Sequence, residues 1–146
     1  MLRSGAYIVH DSGFYRGISP LDRDRGLPER EALLPAMHAY ARVVSQPEPG
    51  LALLDAGKRD VPFDEGLPVP LAVSDTLGGV KRPLDAEVTA LNDQHCFLRW
   101  DGEAPVAIGD VVTLGLSHPC TAFDKWRLIP VVDAEGTVGE AVSTLF

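Results

Sequence analysis

A histidine and a cysteine stand two residues apart in His118-Pro119-Cys120, at the end of the apolar run Val111-Val112-Thr113-Leu114-Gly115-Leu116-Ser117. On an extended backbone, side chains at i and i+2 point to the same side, so both donors would reach one ion from one strand end. Neutral imidazole with thiolate is a borderline-soft pair that suits Zn²⁺ better than Mg²⁺ or Ca²⁺. Two protein ligands do not close a site. A structural zinc takes four, whereas a catalytic zinc keeps a place for water or substrate, so the pair reads as an open metal site. The plainer alternative is a packed cysteine beside a hydrogen-bonded histidine.

Other polar clusters carry weaker chemistry. Asn92-Asp93-Gln94-His95 falls between two expected strands, where a rim histidine could act as a third ligand or orient one; the alternative is an Asx-type turn with a solvated histidine. Asp55-Ala56-Gly57-Lys58-Arg59-Asp60 could hold an anion through Lys58, Arg59 and the N–H groups near Gly57, or could be a charged turn with an Asp–Arg pair. His10-Asp11 has the form of a histidine oriented by an acid, but neighbours on a strand face opposite sides, which argues against a direct pair. His38 reads as structural. The sequence has no Gly-rich phosphate loop and no Gly-x-Ser-x-Gly elbow, and its three lysines, Lys58, Lys81 and Lys125, stand in no evidently apolar setting that would make one nucleophilic.

The elements that must position these groups read mostly as strands. Residues 6–10 form a short opening strand that stops at Asp11-Ser12-Gly13, and residues 16–30, rich in Arg, Asp, Gly and Pro, form an exposed loop. Leu33, Met37, Tyr40, Ala41 and Val44 recur at helical spacing, yet His38 to Val43 also alternates, so periodicity leaves this element undecided. Strands are expected at 51–54, 87–91, 96–100, 111–116, 126–132 and 137–142, with turns at 46–50 and 133–136. That spacing of strands and turns suits a single antiparallel barrel or sandwich-like β domain with one or few short helices.

At 146 residues the chain is sized for one domain, and 45% hydrophobic with 23% charged residues is ordinary for a globular protein. Twelve prolines and fourteen glycines favour turns over long helices. A net charge of −8 without a basic stripe argues against nucleic acid or an anionic membrane as partner. With no apolar h-region and no membrane-length apolar stretch, the chain reads as cytoplasmic, and Cys96 and Cys120 are expected to be reduced.

Several strings taken together resemble one family: Leu2-Arg3-Ser4-Gly5-Ala6-Tyr7-Ile8-Val9-His10-Asp11, Pro47-Glu48-Pro49-Gly50, Gly57-Lys58-Arg59-Asp60, Asn92-Asp93-Gln94-His95, and Ser117-His118-Pro119-Cys120-Thr121-Ala122-Phe123-Asp124-Lys125-Trp126. They are similar to the C-terminal domain of D-serine dehydratase-like and D-threonine aldolase-like enzymes, in the amino acid deaminase branch of the alanine-racemase fold type. The resemblance runs over nearly the whole chain. It implies that residues 1–146 are the β domain that closes an active site, and that an N-terminal α/β barrel, absent here, carries pyridoxal phosphate on its lysine. The chain alone would then be inert. His118 and Cys120 match the family's His-x-Cys zinc ligands, and His95 with Asp93 matches an acidic-then-His stretch to which a catalytic role is carried over. Asp93-Gln94 stands where relatives often have Glu-Glu. Aldolase relatives tend to have a carboxylate at the Cys120 position, so cysteine favours dehydration.

The implied activity is loss of the β-hydroxyl from a small D-serine-like amino acid to give a keto acid and ammonia, with zinc as Lewis acid and pyridoxal phosphate as electron sink. A homodimer is implied for the full-length enzyme. The alternatives are a freestanding non-catalytic β module that binds a metal or a protein, or part of a D-threonine-type aldolase. The resemblance also makes residues 36–45 a strand.

Overall fold

The computed structural model of the protein describes residue 5 and residues 8–145. Of the opening strand expected at residues 6–10, Ala6 and Tyr7 lie outside the described residues, and Ile8 to His10 form a turn rather than a strand. His10, with a left-handed φ of 47°, is likewise not extended. Beyond it the chain winds through turns and two short 3-10 segments, Arg23–Arg25 and Glu29–Glu31, before the sheet begins.

β1 spans His38–Glu48, and its exposure alternates with period two, burying Ala41 and Val43 while Tyr40, Arg42 and Val44 face out. Of the residues at helical spacing, Tyr40, Ala41 and Val44 therefore serve a strand, because the β-branched Val43 and Val44 and the polar alternation fit a half-buried pleat, while Leu33 and Met37 precede it. β2 (Leu51–Leu54) follows a turn at Pro49-Gly50, tighter than the expected 46–50 because β1 runs on to Glu48. β3 (Val69–Ser74) and β4 (Arg82–Pro83) were not legible in the sequence: Pro68 and Pro70 hide β3, and the register of β3 shifts between Pro70 and Ala72, where a missing N–H is tolerated. β5 (Glu87–Leu91), β6 (Cys96–Arg99) and β7 (Val111–Gly115) fall where expected. A single-turn α1 (Ala122–Lys125) leads to the hairpin of β8 (Leu128–Val132) and β9 (Val138–Ser143).

Seven strands form one antiparallel sheet in the order β4-β3-β7-β1-β2-β6-β5, and β8-β9 form a separate ribbon. The first half of β1 pairs with β7 and the second half with β2, and bulges between Val43 and Ser45 and between Ser45 and Glu48 bend it there. The sheet curls enough that β3 and β5, far apart in strand order, touch. The result is a half-barrel, mostly β with almost no helix, closed over Val43, Leu54, Val61, Val73, Leu98, Val112 and Leu114, each nearly inaccessible to solvent. All five residues of β7 are buried, so this strand is covered on both faces. No helix among the described residues is long and apolar enough to cross a membrane.

Candidate functional site

The strand that carries the His-x-Cys pair stops at Gly115, earlier than the sequence suggested. Leu116 and Ser117 continue as a buried loop, and His118, Pro119 and Cys120 lie on the turn into α1. The two donors therefore do not share an extended backbone. Pro119 is buried between them, His118 is half-buried, and Cys120 is exposed. The turn is held by the Ala122 N–H donating to Pro119 O at 3.0 Å.

The loop is fixed from one side by the segment after His10. Ser12 N donates to Leu116 O and Phe14 N to Ser117 O, both at 2.8 Å, so the bend at residues 12–14 is tied to the loop by two backbone hydrogen bonds. Glycine is needed at two points of this contact. A Cβ on Gly13 would come within 2.8 Å of Ser117 Cα, and one on Gly115 would collide with the Ser12 side chain. From the other side Ser117 Oγ donates to Gly66 O, and Thr121 Oγ1 donates to Asp64 Oδ1 at 2.9 Å.

This docking brings Asp11 beneath His118. Asp11 Oδ1 accepts from Gly13 N at 3.2 Å and Tyr15 N at 2.9 Å, while its Oδ2 faces His118 Nδ1 at 3.7 Å. The Asp11 side chain is 0% exposed and that of His118 14%. Neither Asp11 Oδ2 nor His118 Nδ1 has a hydrogen-bond partner among the described residues. Phe14 meets the imidazole edge-on with ring centres 5.7 Å apart, and Tyr15 lies 6.2 Å away. Beside Asp11 opens a surface cleft of about 470 Å³, lined in part by His10, Ser12, Arg16, Asp22 and His38.

The Asn92-to-His95 loop docks on residues 57–59. Lys58 N donates to Asn92 O at 2.9 Å and Arg59 N to Asp93 O at 3.1 Å, and the Arg59 guanidinium pairs with the Asp93 carboxylate at 3.3 Å. A Cβ on Gly57 would come within 2.5 Å of Asn92 O, so glycine permits this packing. Asp93 and His95 are exposed there. Among the described residues no three His, Cys, Asp or Glu side chains are grouped to share an ion, so His95 does not join His118 and Cys120. Sequence reasoning missed Asp11 because it weighed Asp11 only against its chain neighbour His10, at the end of an expected strand over residues 6–10. The available signal was the turn cluster Asp11-Ser12-Gly13, whose glycine allows close approach.

The two cysteines differ in kind. Cys96, on β6, is fully buried and burial pushes its thiol up to about 12, so it is an inert core residue. Cys120 is a free, exposed thiol. The donor set at the turn, one imidazole with a buried acidic neighbour and one accessible thiol, is of the kind that zinc takes. The lysines do not fit attachment of an aldehyde cofactor: Lys58 and Lys125 lie over the Phe63 ring and Lys81 over Tyr40, at the protein surface.

A family model described as "Putative serine dehydratase domain" matches residues 36–132. No curated protein matches the chain. Among solved structures, D-threonine aldolase from Filomicrobium marinum is similar with a TM-score of 0.57 and 26% identity, over 75% of this chain and 27% of that one. D-threo-3-hydroxyaspartate dehydratase from Delftia sp. HT23 is similar with a TM-score of 0.58 and 25% identity, over 84% of this chain and 35% of that one. A cysteine-to-alanine mutant of a D-threo-3-hydroxyaspartate dehydratase, in a metal-free form, shares the fold at 22% identity, with a TM-score of 0.58 over 84% of this chain and 35% of that one. The chain thus spans only 27% to 35% of the length of these structures.

Proposed function

The chain belongs to the serine dehydratase domain family, and on that premise we propose that residues 1–146 are the metal-bearing β domain of a pyridoxal-phosphate lyase acting on small D-β-hydroxy amino acids. The carrying observation is the turn after β7, which presents an accessible Cys120 thiol and a His118 ring backed by a buried carboxylate. His118 and Cys120 would hold zinc, leaving its other places open. When bound, zinc supplies Lewis acidity to the departing β-hydroxyl, and pyridoxal phosphate, held by a partner barrel, supplies the electron sink.

This chain's own residues do the holding and the shaping. The paired glycines Gly13 and Gly115 let residues 12–14 clamp the loop, so the His118 ring lies beside Phe14 and Asp11 rather than free in solvent. Phe14 and Tyr15 flank the ring at centre distances of 5.7 and 6.2 Å. Cys120 stays at the surface, where a second domain and a substrate can reach it. Asp93 and His95, exposed on the β5–β6 loop, would face the reaction only across that partner, as proton-handling groups.

The similarity to a D-threonine aldolase favours carbon–carbon cleavage as a second reading, which is told apart by its products. The deciding experiment measures zinc content and turnover of this chain and of its full-length parent with D-serine and D-threonine. Zinc-dependent keto acid and ammonia from the parent, with none from the 146-residue chain, is the expected result. Glycine with an aldehyde would select the aldolase reading, and an inactive parent loaded with zinc and pyridoxal phosphate would leave a non-catalytic module.

A further inference from the structure

We infer that Asp11 is a positioning residue, which takes the Nδ1–H of His118 and so leaves Nε2 as the nitrogen offered to a metal. The inference rests on the reading of His118 as a ligand, but its core, the tautomer of one ring, stands on the protein alone.

A neutral imidazole carries its proton on one nitrogen only, and the other keeps a lone pair. His118 Nδ1 is buried and has no partner among the described residues, and the same holds for Asp11 Oδ2, 3.7 Å away. A buried polar group left unsatisfied loses its hydration without replacement, so two such atoms facing each other are better joined. If Nδ1 kept its lone pair, two acceptors would oppose one another in a place closed to water. If Nδ1 carries the proton, one bond satisfies both.

At 3.7 Å the pair is still longer than a hydrogen bond. Asp11 cannot make up the difference, because its Oδ1 is fixed by the N–H groups of Gly13 and Tyr15. The approach therefore falls to the ring, whose swing is bounded by the edge of Phe14. Such contacts commonly run long without ligand and tighten with it. Phe14 offers no competing acceptor. A carboxylate behind a metal-binding histidine fixes ring orientation and tautomer together, and losing such a partner typically weakens metal binding by about 10–100-fold.

The arrangement makes Asp11→Asn more informative than a truncation. The two backbone N–H donors at Oδ1 would keep the amide oxygen of Asn at that position. Its NH₂ would then stand where Oδ2 is now, as a donor aimed at Nδ1. That donor favours the opposite tautomer, with the proton on Nε2 and no lone pair left for the metal.

The test is long-range ¹H–¹⁵N correlation of the ¹⁵N-labelled 146-residue chain, with and without zinc, together with a zinc titration of the wild type and Asp11→Asn. The expected result is an Nδ1–H tautomer of His118 in the wild type, a shift to Nε2–H in the variant, and a loss of zinc affinity of about 10–100-fold. An Nε2–H tautomer in the wild type would overturn the inference, as would zinc bound through Nδ1 or a variant with unchanged tautomer and affinity. Should the wild type bind no zinc, the metal reading fails, and the tautomer comparison still decides the role of Asp11. Should the variant not fold, the wild-type spectrum alone decides it.

Discussion

Gly115, the last residue of β7, lies directly against Ser12, with no room between them for even one methyl group. The contact ties the His118 loop to the segment that carries Asp11. Gly115→Ala would force the Ser12 side chain and its backbone away, and overpacking of this kind costs roughly 1–3 kcal/mol. We expect a lowered urea midpoint together with weaker zinc binding. Destabilisation with unchanged zinc affinity would mean that the 12–14 segment does not shape the metal loop.

Cys120 and Cys96 are expected to separate cleanly in a thiol titration. Cys120 is exposed, while burial holds the Cys96 thiol near 12, so it carries almost no thiolate at neutral pH. Native protein should react with one equivalent of a disulfide reagent, Cys120→Ala with none until denatured, and zinc should protect the wild type. Two fast thiols in the native protein would contradict the burial of β6.

Much of the fold was legible because strands with alternating or wholly apolar residues announce themselves, as at Leu51–Leu54 and Val111–Gly115. β1 was harder, since Leu33, Met37, Tyr40 and Val44 satisfy a helical period equally well. There the family resemblance supplied the strand. Pro70 concealed β3 by a local rule that the bulge in its register overrides. His118 and Cys120 were visible from their types and spacing, but the geometry supposed for them, one extended strand, gave way to a turn after Gly115. Asp11 was visible only as a neighbour of His10. Its partner stands at the other end of the chain, and neither periodicity nor local spacing carries information about a contact made by two loops.

Acid should weaken the protein partly through Asp22. The backbone N–H of Asp24, then that of Gly17, donates to its carboxylate and holds it below the ordinary 3.8, against the opposing effect of burial. A depressed folded value means stabilisation that is fully present above 3.8 and lost as pH falls through the lower folded value. The stability gap between wild type and Asp22→Asn should therefore narrow as pH drops below 3.8. A gap that stays constant in urea melts across that range would show that the variant loses something other than charge.

His95 and Asp93 yield to a different comparison, because their loop is held by Gly57 to Arg59. Asp93 shares an exposed ion pair with Arg59, and exposed pairs contribute about 0–1 kcal/mol, so Asp93→Asn should melt close to the wild type. His95→Ala, likewise exposed, should leave both the fold and the zinc content of this chain unchanged. In the full-length parent a proton-handling His95 predicts a fall in turnover of about 10²–10⁴-fold with zinc still bound. Zinc loss in His95→Ala would mean that the loop reaches the metal after all; undiminished turnover would return His95 to a solvated turn. Either departure separates this loop from His118→Ala, for which zinc and turnover are expected to disappear together.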